Sequence, residues 1–365
     1  MTKIIVISAI NIIEGGALTV LRDCLCATKA HCGEDWKIVA LVNNKNLVSI
    51  PGVEFVEYPR AKESWFIRLY YEWVHFYFLS RNIKPDLWFS LHDITPWVMA
   101  RRRVVYCHNP SPFYKINLRE AWLEPKFLLF NLFYRYLYKI QINKNDYVIV
   151  QQEWLRREFV QLFGINNIIV AYPYTQHNNP PAKLDDCSID QYKFLYPTFP
   201  RVFKNLEVIC EAASILGKNA LLSFNVSLTI NGQENRYASW LVNKYSSVPG
   251  LLFIGRLDRS QMMKEYRQCD CVIFPSRLET WGLPLTEAKE LGKTIIASDM
   301  PYAHETVGNY HSAFFFNPLS ASELAGIMAK NISENPVLSP ASHPLPGQPF
   351  APDWATLVSL IVQDL

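Results

Sequence analysis

The sequence has no run of the roughly 20 apolar residues that a membrane-spanning helix needs. Its most apolar stretch, Phe127 to Ile142, is interrupted by Arg135 and Lys139, so no transmembrane helix is expected. The opening residues, Met1-Thr2-Lys3-Ile4-Ile5-Val6-Ile7-Ser8, hold an apolar run too short for a signal sequence and lead directly into a buried-strand pattern, so export is not expected. The eight cysteines are scattered. Their nearest pairs, Cys24 with Cys26 and Cys269 with Cys271, lack the two-residue gap of structural zinc sites and thiol redox motifs, and they read as reduced thiols of a cytoplasmic protein. Charge of one sign is not in excess either: 36 Lys and Arg against 33 Asp and Glu leave a formal net charge of +3. With no basic tail, this argues against a nucleic-acid partner. No Gly-x-Gly-x-x-Gly is present, which weakens a dinucleotide-dehydrogenase reading.

What is present is the composition of a folded globular protein, 50% hydrophobic and 19% charged, in a chain of 365 residues that exceeds one ordinary core. Short apolar, β-branched runs alternate with helical segments: Lys3 to Ser8, Trp36 to Val42, Val53 to Tyr58, Asp86 to Leu91, Val104 to Cys107, Tyr147 to Val150 and Ile168 to Tyr172. After the turn-rich stretch from Pro173 to Pro181 a second series follows at Tyr192 to Tyr196, Ser227 to Asn231, Leu251 to Ile254, Cys271 to Phe274, Thr294 to Ala297 and Ala313 to Phe316. Runs that are apolar on both faces, separated by helices, predict parallel sheets covered on both sides. The expected architecture is α/β: two Rossmann-like, doubly wound domains facing a central cleft, over 1–173 and 174–345. A proline-rich connection and a last helix, Trp354 to Gln363, occupy 346–365.

The informative segment is Phe274-Pro275-Ser276-Arg277-Leu278-Glu279-Thr280-Trp281-Gly282-Leu283-Pro284-Leu285-Thr286-Glu287-Ala288, between a strand and a helix. Gly282 permits close backbone approach to a ligand, and Pro284 suits the start of a helix. Free N–H groups at that helix start favour a diphosphate. Glu287 is placed to accept bonds from two ribose hydroxyls, and Glu279 to reach into the cleft.

On these residues the chain resembles the retaining glycosyltransferases of family four, of the GT-B fold and the glycosyl transferases group 1. Their two glutamates, separated by seven residues around Gly-Leu-Pro, match Glu279 and Glu287 around Gly282 and Leu283. The likeness extends through Gly292 and Ile295-Ile296-Ala297-Ser298-Asp299 to Glu305, and back to Phe253-Ile254-Gly255. It implies that Glu279 contacts the transferred sugar, that Glu287 binds the ribose, and that Gly282, Leu283 and Gly255 line the donor site. In Pro197-Thr198-Phe199-Pro200-Arg201-Val202-Phe203-Lys204-Asn205-Leu206 the family's phosphate-binding lysine matches Lys204, while Phe199 stands where its arginine is usual. Arg201 is then the candidate second cation; a surface arginine explains it almost as well.

In the N-terminal half, Gly15 and Gly16 follow the first strand and correspond to a glycine loop of the family. His108 matches its histidine near the transferred sugar, and His92 with Asp93 a segment near the acceptor. Arg101 to Arg103 read as a solvated turn. Aromatic and basic residues mix over Trp65 to Phe78 and Phe113 to Tyr138, which suits either an aromatic core or docking at an anionic membrane surface.

The resemblance implies transfer of a hexose from a UDP- or GDP-linked donor to a glycan acceptor, lipid-linked as in bacterial O-antigen or polysaccharide assembly, by a cytoplasmic protein peripheral to the inner membrane. No cofactor is expected, and the absence of any Asp-x-Asp argues against a bridging metal. A sugar-nucleotide epimerase or phosphorylase of the same fold, and a non-catalytic sugar-nucleotide-binding protein, are the competing readings.

Overall fold

The computed structural model describes residues 2–173, 191–219, 221–334 and 343–365. The expected linker from Asn178 to Pro181 lies outside these, as does 335–342 in the proline-rich stretch. The described strands are β1 (Lys3–Ala9), β2 (Trp36–Val42), β3 (Val53–Glu57), β4 (Leu87–Ser90), β5 (Arg102–Cys107), β6 (Tyr147–Val150) and β7 (Ile168–Ala171). They continue with β8 (Tyr192–Tyr196), β9 (Phe224–Leu228), β10 (Leu251–Phe253), β11 (Cys271–Phe274), β12 (Thr294–Ser298), β13 (Ala313–Phe316) and β14 (Phe350–Ala351). The helices are α1 (Gly15–Cys32), α2 (Trp65–Tyr70), α3 (Phe76–Ile83), α4 (Leu118–Leu123), α5 (Pro125–Lys139), α6 (Glu153–Phe163) and α7 (Leu206–Leu216). After them come α8 (Arg236–Tyr245), α9 (Arg259–Gln268), α10 (Leu283–Glu290), α11 (Pro301–Val307), α12 (Ala321–Glu334) and α13 (Trp354–Val362). The chain packs into two units. The first comprises Met1–Phe113, Asn131–His177 and Pro346–Leu365, the second Tyr114–Phe130 and Asn178–Leu345.

The first unit is built on an all-parallel sheet of order β14-β7-β6-β5-β4-β1-β2-β3. Alternation along β1 explains why it is apolar on both faces. Ile5 and Ile7 pack with Leu21 and Leu25 of α1 and Leu357 and Ile361 of α13, whereas Val6 between them packs with Phe76 of α3 and Trp88. Strand order reverses at β1, which has β2 on one side and β4 on the other. In such sheets ligands gather beyond the carboxyl ends of the strands at the reversal.

The second unit has a parallel sheet of order β10-β9-β8-β11-β12-β13, with its reversal at β8 between β9 and β11. The loops leaving β8 and β11 therefore start side by side. They carry Lys204 and Glu279.

The last segment belongs to the first unit. β14 extends its sheet beside β7, and α13 covers the face that α1 also covers. The arginine run expected as a solvated turn has a different job. Arg102 Nη1 donates to Ile361 O at 2.9 Å and Gln363 O at 2.6 Å, and Arg101 Nη2 to Asp364 O at 2.9 Å. Carbonyls at a helix C-terminus have no intrahelical donors and carry partial negative charge, so two guanidinium groups there cap α13. Arg102→Ala should lower the unfolding free energy by about 1 kcal/mol, read as a fall in thermal midpoint; an unchanged midpoint would show that α13 needs no cap.

Candidate active site

In the second unit, the chain leaves β8 and makes a short 3-10 turn at Val202–Lys204 before α7. Asn205 joins turn to helix in a left-handed conformation, φ 56°, which Asn tolerates better than most residues. Its buried side-chain amide donates to Pro275 O at 3.2 Å and Pro318 O at 2.8 Å, tying this turn to the loop after β11. Arg277 N–H also donates to Phe203 O across the two loops, at 2.8 Å. Lys204 Nζ and a carboxylate oxygen of Glu279 consequently form an ion pair, both side chains partly buried. Tyr196 on β8 closes the arrangement: its hydroxyl donates to Lys204 O and meets Ser276 Oγ, each at 3.0 Å.

Gly282 precedes α10 with φ 87°, and a Cβ there would stand 3.1 Å from Phe274 Cε1 and 3.3 Å from Leu285 Cδ1. Only glycine meets both demands. Leu283 is the first residue of α10 and Pro284 the second. The helix start is less open than the sequence suggests, since Pro284 has no N–H and Leu285 N–H is taken by Gly282 O at 2.9 Å. Glu287 lies in the second turn. One carboxylate oxygen pairs with Arg259 of α9, and the other accepts from the buried Tyr266 hydroxyl at 2.6 Å. Burial, and then the Glu287 charge, push the Tyr266 phenol well above its ordinary value, so it stays a donor. Gly255, two residues beyond β10, is left-handed at φ 78°, with its N–H on Ile230 O at 3.1 Å.

Arg201, expected as a diphosphate cation, is engaged within its own unit. Its Nε lies 3.1 Å from Glu124 Oε1, and its guanidinium covers the Phe127 ring at 5.4 Å. Arg277, two residues before Glu279, was not singled out from sequence. Its Nη2 donates to Glu120 Oε1 at 2.5 Å and Val202 O at 2.9 Å.

In the first unit α1 starts at Gly15, φ 70°, and continues through Gly16 with no side-chain cap from Glu14. His92 and Asp93 follow β4 but offer little to an acceptor, being 0% and 4% exposed. Asp93, left-handed at φ 71°, accepts from the hydroxyls of Tyr134 and Tyr138 at 2.8 Å each and from His108 N–H at 2.7 Å and Asn109 N–H at 3.1 Å. Its effect is to fix the backbone of His108, whose ring stays partly exposed with Nε2 3.8 Å from Asp93 Oδ2. His92 bridges Ser8 Oγ at 3.0 Å and Glu72 Oε1 at 3.1 Å. Glu72 sits in a π-turn, Tyr71–His75, that joins α2 to α3 and turns its carboxyl fully inward. Arg68 Nη2 donates to His92 O at 2.9 Å.

The aromatic segments divide. Phe76, Tyr134 and Tyr138 are core, whereas Phe66, Tyr70, Phe78, Leu132, Phe133 and Tyr136 are exposed. Trp65 meets Tyr134 edge to face at 6.1 Å, joining the two segments within the first unit. The seven cysteines among the described residues are free thiols. No helix among the described residues is long and apolar enough to cross a membrane.

Two doubly wound parallel-sheet units in one chain are the architecture of the GT-B glycosyltransferases. Residues 191–340 match the family described as Glycosyl transferases group 1. Among curated proteins, the serotype-specific mannosyltransferase WbdA of Escherichia coli is 24% identical over 163 residues, 44% of this chain and 20% of WbdA. The chain thus spans about a fifth of that relative's length. The O-antigen chain mannosyltransferase RfbU of Salmonella typhimurium is 20% identical over 310 residues, 82% of this chain and 80% of RfbU. Among solved structures, Anabaena Alr3699/HepE in complex with UDP-glucose superposes with a TM-score of 0.65 at 15% identity, covering 98% of this chain and 95% of that one.

The buried pair Glu72 and His92 yields a prediction. Burial raises the Glu72 carboxyl to about 8, opposed by Arg68, while burial and then Arg68 hold His92 well below its ordinary value. Near neutrality the two therefore meet as neutral acid and neutral imidazole, because two charges with no solvent cost more than their attraction returns. An acid whose folded pKa is raised holds its proton in the folded state while the unfolded chain releases it, so its contribution to stability declines as pH rises from about 4.5 to about 8. Glu72→Gln, neutral throughout, should gain in thermal midpoint over wild type as pH goes from 5 to 8. A difference independent of pH over that range would show that Glu72 is charged in the fold.

Proposed function

We propose that the protein is a retaining, metal-independent hexosyltransferase that takes a sugar from a UDP- or GDP-linked donor and passes it to a lipid-linked glycan acceptor in surface-polysaccharide assembly. The observation that carries this reading is the pairing of Lys204 with Glu279 beside Gly282, with Glu287 held by Arg259 and Tyr266 one helical turn further on. Departure of the nucleotide diphosphate separates charge, negative on the leaving oxygen and positive on the sugar. Lys204 and Glu279 are an opposed pair suited to that separation, and Lys204 has two further N–H donors for the diphosphate while one stays on Glu279. Glu287, held between Arg259 and Tyr266, is the ribose ligand. Arg201 supplies further positive potential, and the leaving oxygen takes the acceptor proton. His108, on the first unit, is assigned the contact with the transferred sugar. The names of RfbU and WbdA support a mannosyl or related hexosyl transfer in O-antigen assembly. The UDP-glucose complex of HepE supports a nucleotide-sugar donor.

Glu279→Gln should lower kcat by at least about a hundred-fold, some 2.7 kcal/mol, without moving the thermal midpoint. Turnover within a few-fold of wild type removes Glu279 from the mechanism. Glu287→Ala should raise the donor KM about ten-fold and leave kcat closer to wild type, since ribose recognition is common to ground and transition states.

A lipid-linked acceptor brings the protein to a bilayer, and the first unit carries a surface suited to it. Phe66, 86% exposed, Tyr70 and Phe78 of the first aromatic segment and Leu132, Phe133 and Tyr136 of the second are exposed apolar side chains, and Arg135 and Lys139 of α5 are exposed as well. No acidic residue occurs in α5. Each such cation contributes about 1 kcal/mol at an anionic surface, and the aromatic side chains add a part that salt does not screen. Wild type should float with anionic vesicles, weakly at high salt, and a variant with Arg135→Glu and Lys139→Glu should float several-fold less. Equal flotation of the two proteins would show that these cations do not face lipid.

A further inference from the structure

The stretch Tyr114–Phe130 precedes most of the first unit's later strands in sequence but packs entirely within the second unit. It carries none of the residues that the family resemblance picks out, yet its side chains grip both loops of the donor side. Glu120 is buried. One of its oxygens accepts from Arg277 at 2.5 Å and from the Tyr114 hydroxyl at 3.0 Å, and the other from Asn117 N–H at 3.0 Å, completing the cap of α4. Four residues on, Glu124 accepts from Val202 N–H at 2.9 Å with one oxygen and faces Arg201 with the other. The rings of Tyr114 and Phe127 enclose Phe203, at 6.2 and 5.2 Å between centroids. The outer side of the stretch is anchored to α8, where Arg236 Nη1 donates to Trp122 O at 3.0 Å and Arg119 covers the Trp240 ring at 4.2 Å.

We propose that Tyr114–Phe130 is a positioning strap for the donor side, in which Glu120 and Glu124 hold the Arg201–Lys204 turn and the Arg277–Glu279 loop so that Lys204 and Glu279 face each other. Val202, Phe203 and Arg277, the residues gripped, each lie within two positions of Lys204 or Glu279. A loop between strand and helix has few restraints of its own, and a charged pair misplaced by about 1 Å loses much of its effect on a transition state. Glu120 lies in α4 and Glu124 follows its last residue, its N–H on Glu120 O at 2.8 Å, so a single short element reaches both loops. Glu120 and Glu124 act through Arg277, Arg201 and Val202 and touch no substrate. The effect on catalysis rests on the transferase reading; the grip itself does not.

Amide hydrogen exchange separates the two. In Glu124→Ala the amides of Val202 to Asn205, and in Glu120→Gln those of Arg277 to Glu279, should exchange at least ten-fold faster than in wild type, while β9 and α12 keep wild-type rates. Glu124→Gln, which retains an oxygen for Val202 N–H but no charge for Arg201, should fall between wild type and Glu124→Ala and covers the case in which the alanine variant fails to fold. Unchanged exchange in these loops, or an equal acceleration through the whole second unit, overturns the strap. With UDP-glucose and GDP-mannose as donor probes, the same variants should lower kcat about ten-fold while shifting the donor KM much less. If wild type binds and turns over neither probe, the transferase reading is what fails, and the exchange result still decides the strap.

Discussion

The donor side depends on one constraint, that β8 and β11 are hydrogen-bonded neighbours at the point where the strand order of the second sheet reverses. Because the strands are parallel, both outgoing loops leave from the same edge, and residues 75 positions apart in sequence, Lys204 and Glu279, come together. The register alone does not bring them into contact. Asn205 must take the left-handed conformation to turn the chain into α7, and in doing so it turns its amide onto Pro275 O and Pro318 O. The backbone bend that starts the helix is thereby the same feature that sets the distance between the two loops.

The first unit solves the matching problem at its own reversal with buried polar groups. A left-handed Asp93 at the end of β4 collects two tyrosine hydroxyls from α5 and two backbone N–H groups from the chain leaving β5. Four donors on one buried carboxyl group leave its oxygens hydrogen-bonded. The neighbouring Glu72 and His92 are handled oppositely, by neutralisation, burial raising the proton affinity of the carboxyl and lowering that of the imidazole. His108 is the partly exposed end of this otherwise internal assembly, its backbone fixed from beneath.

How much of this the sequence disclosed follows from how local each signal is. Strands such as β2, β6, β8, β11 and β13 begin and end where the apolar runs do, because parallel strands buried on both faces leave an uninterrupted pattern. β9 runs from Phe224 to Leu228, three residues before the run that predicted it. Beyond Leu228, Thr229 and Ile230 are buried in a turn, with Thr229 Oγ1 exchanging hydrogen bonds with the backbone of Thr198. β14 has two residues among prolines and leaves no periodicity to read. Gly282, Glu279 and Glu287 were legible because a turn, a helix start and their spacing lie within one short segment. Their supports were not: Tyr266 is 21 residues from Glu287, Arg259 is 28, and Glu120 is 157 from Arg277. No pattern in a single chain announces such pairs. His92 and Asp93 were placed correctly at a strand end, but what packs on them lies far off in sequence, Glu72 of the π-turn against His92 and Tyr134 and Tyr138 against Asp93.

The same separation between local and distant signals explains the electrostatic character of the donor side. Its acidic residues are already matched within the unit: Glu279 by Lys204, Glu287 by Arg259 and Tyr266, Glu120 by Arg277 and Tyr114, and Glu124 by Arg201 and Val202 N–H. Each partner offsets part of the cost of burying a carboxylate; at Glu124 burial still outweighs Val202 N–H and Arg201 and raises its pKa. The lysine and the guanidinium groups are in turn held by these carboxylates. Preorganisation of charge is usually the largest single term in transition-state stabilisation. It requires that the loops presenting the charges be held from outside the loops themselves, which is where Glu120 and Glu124 stand.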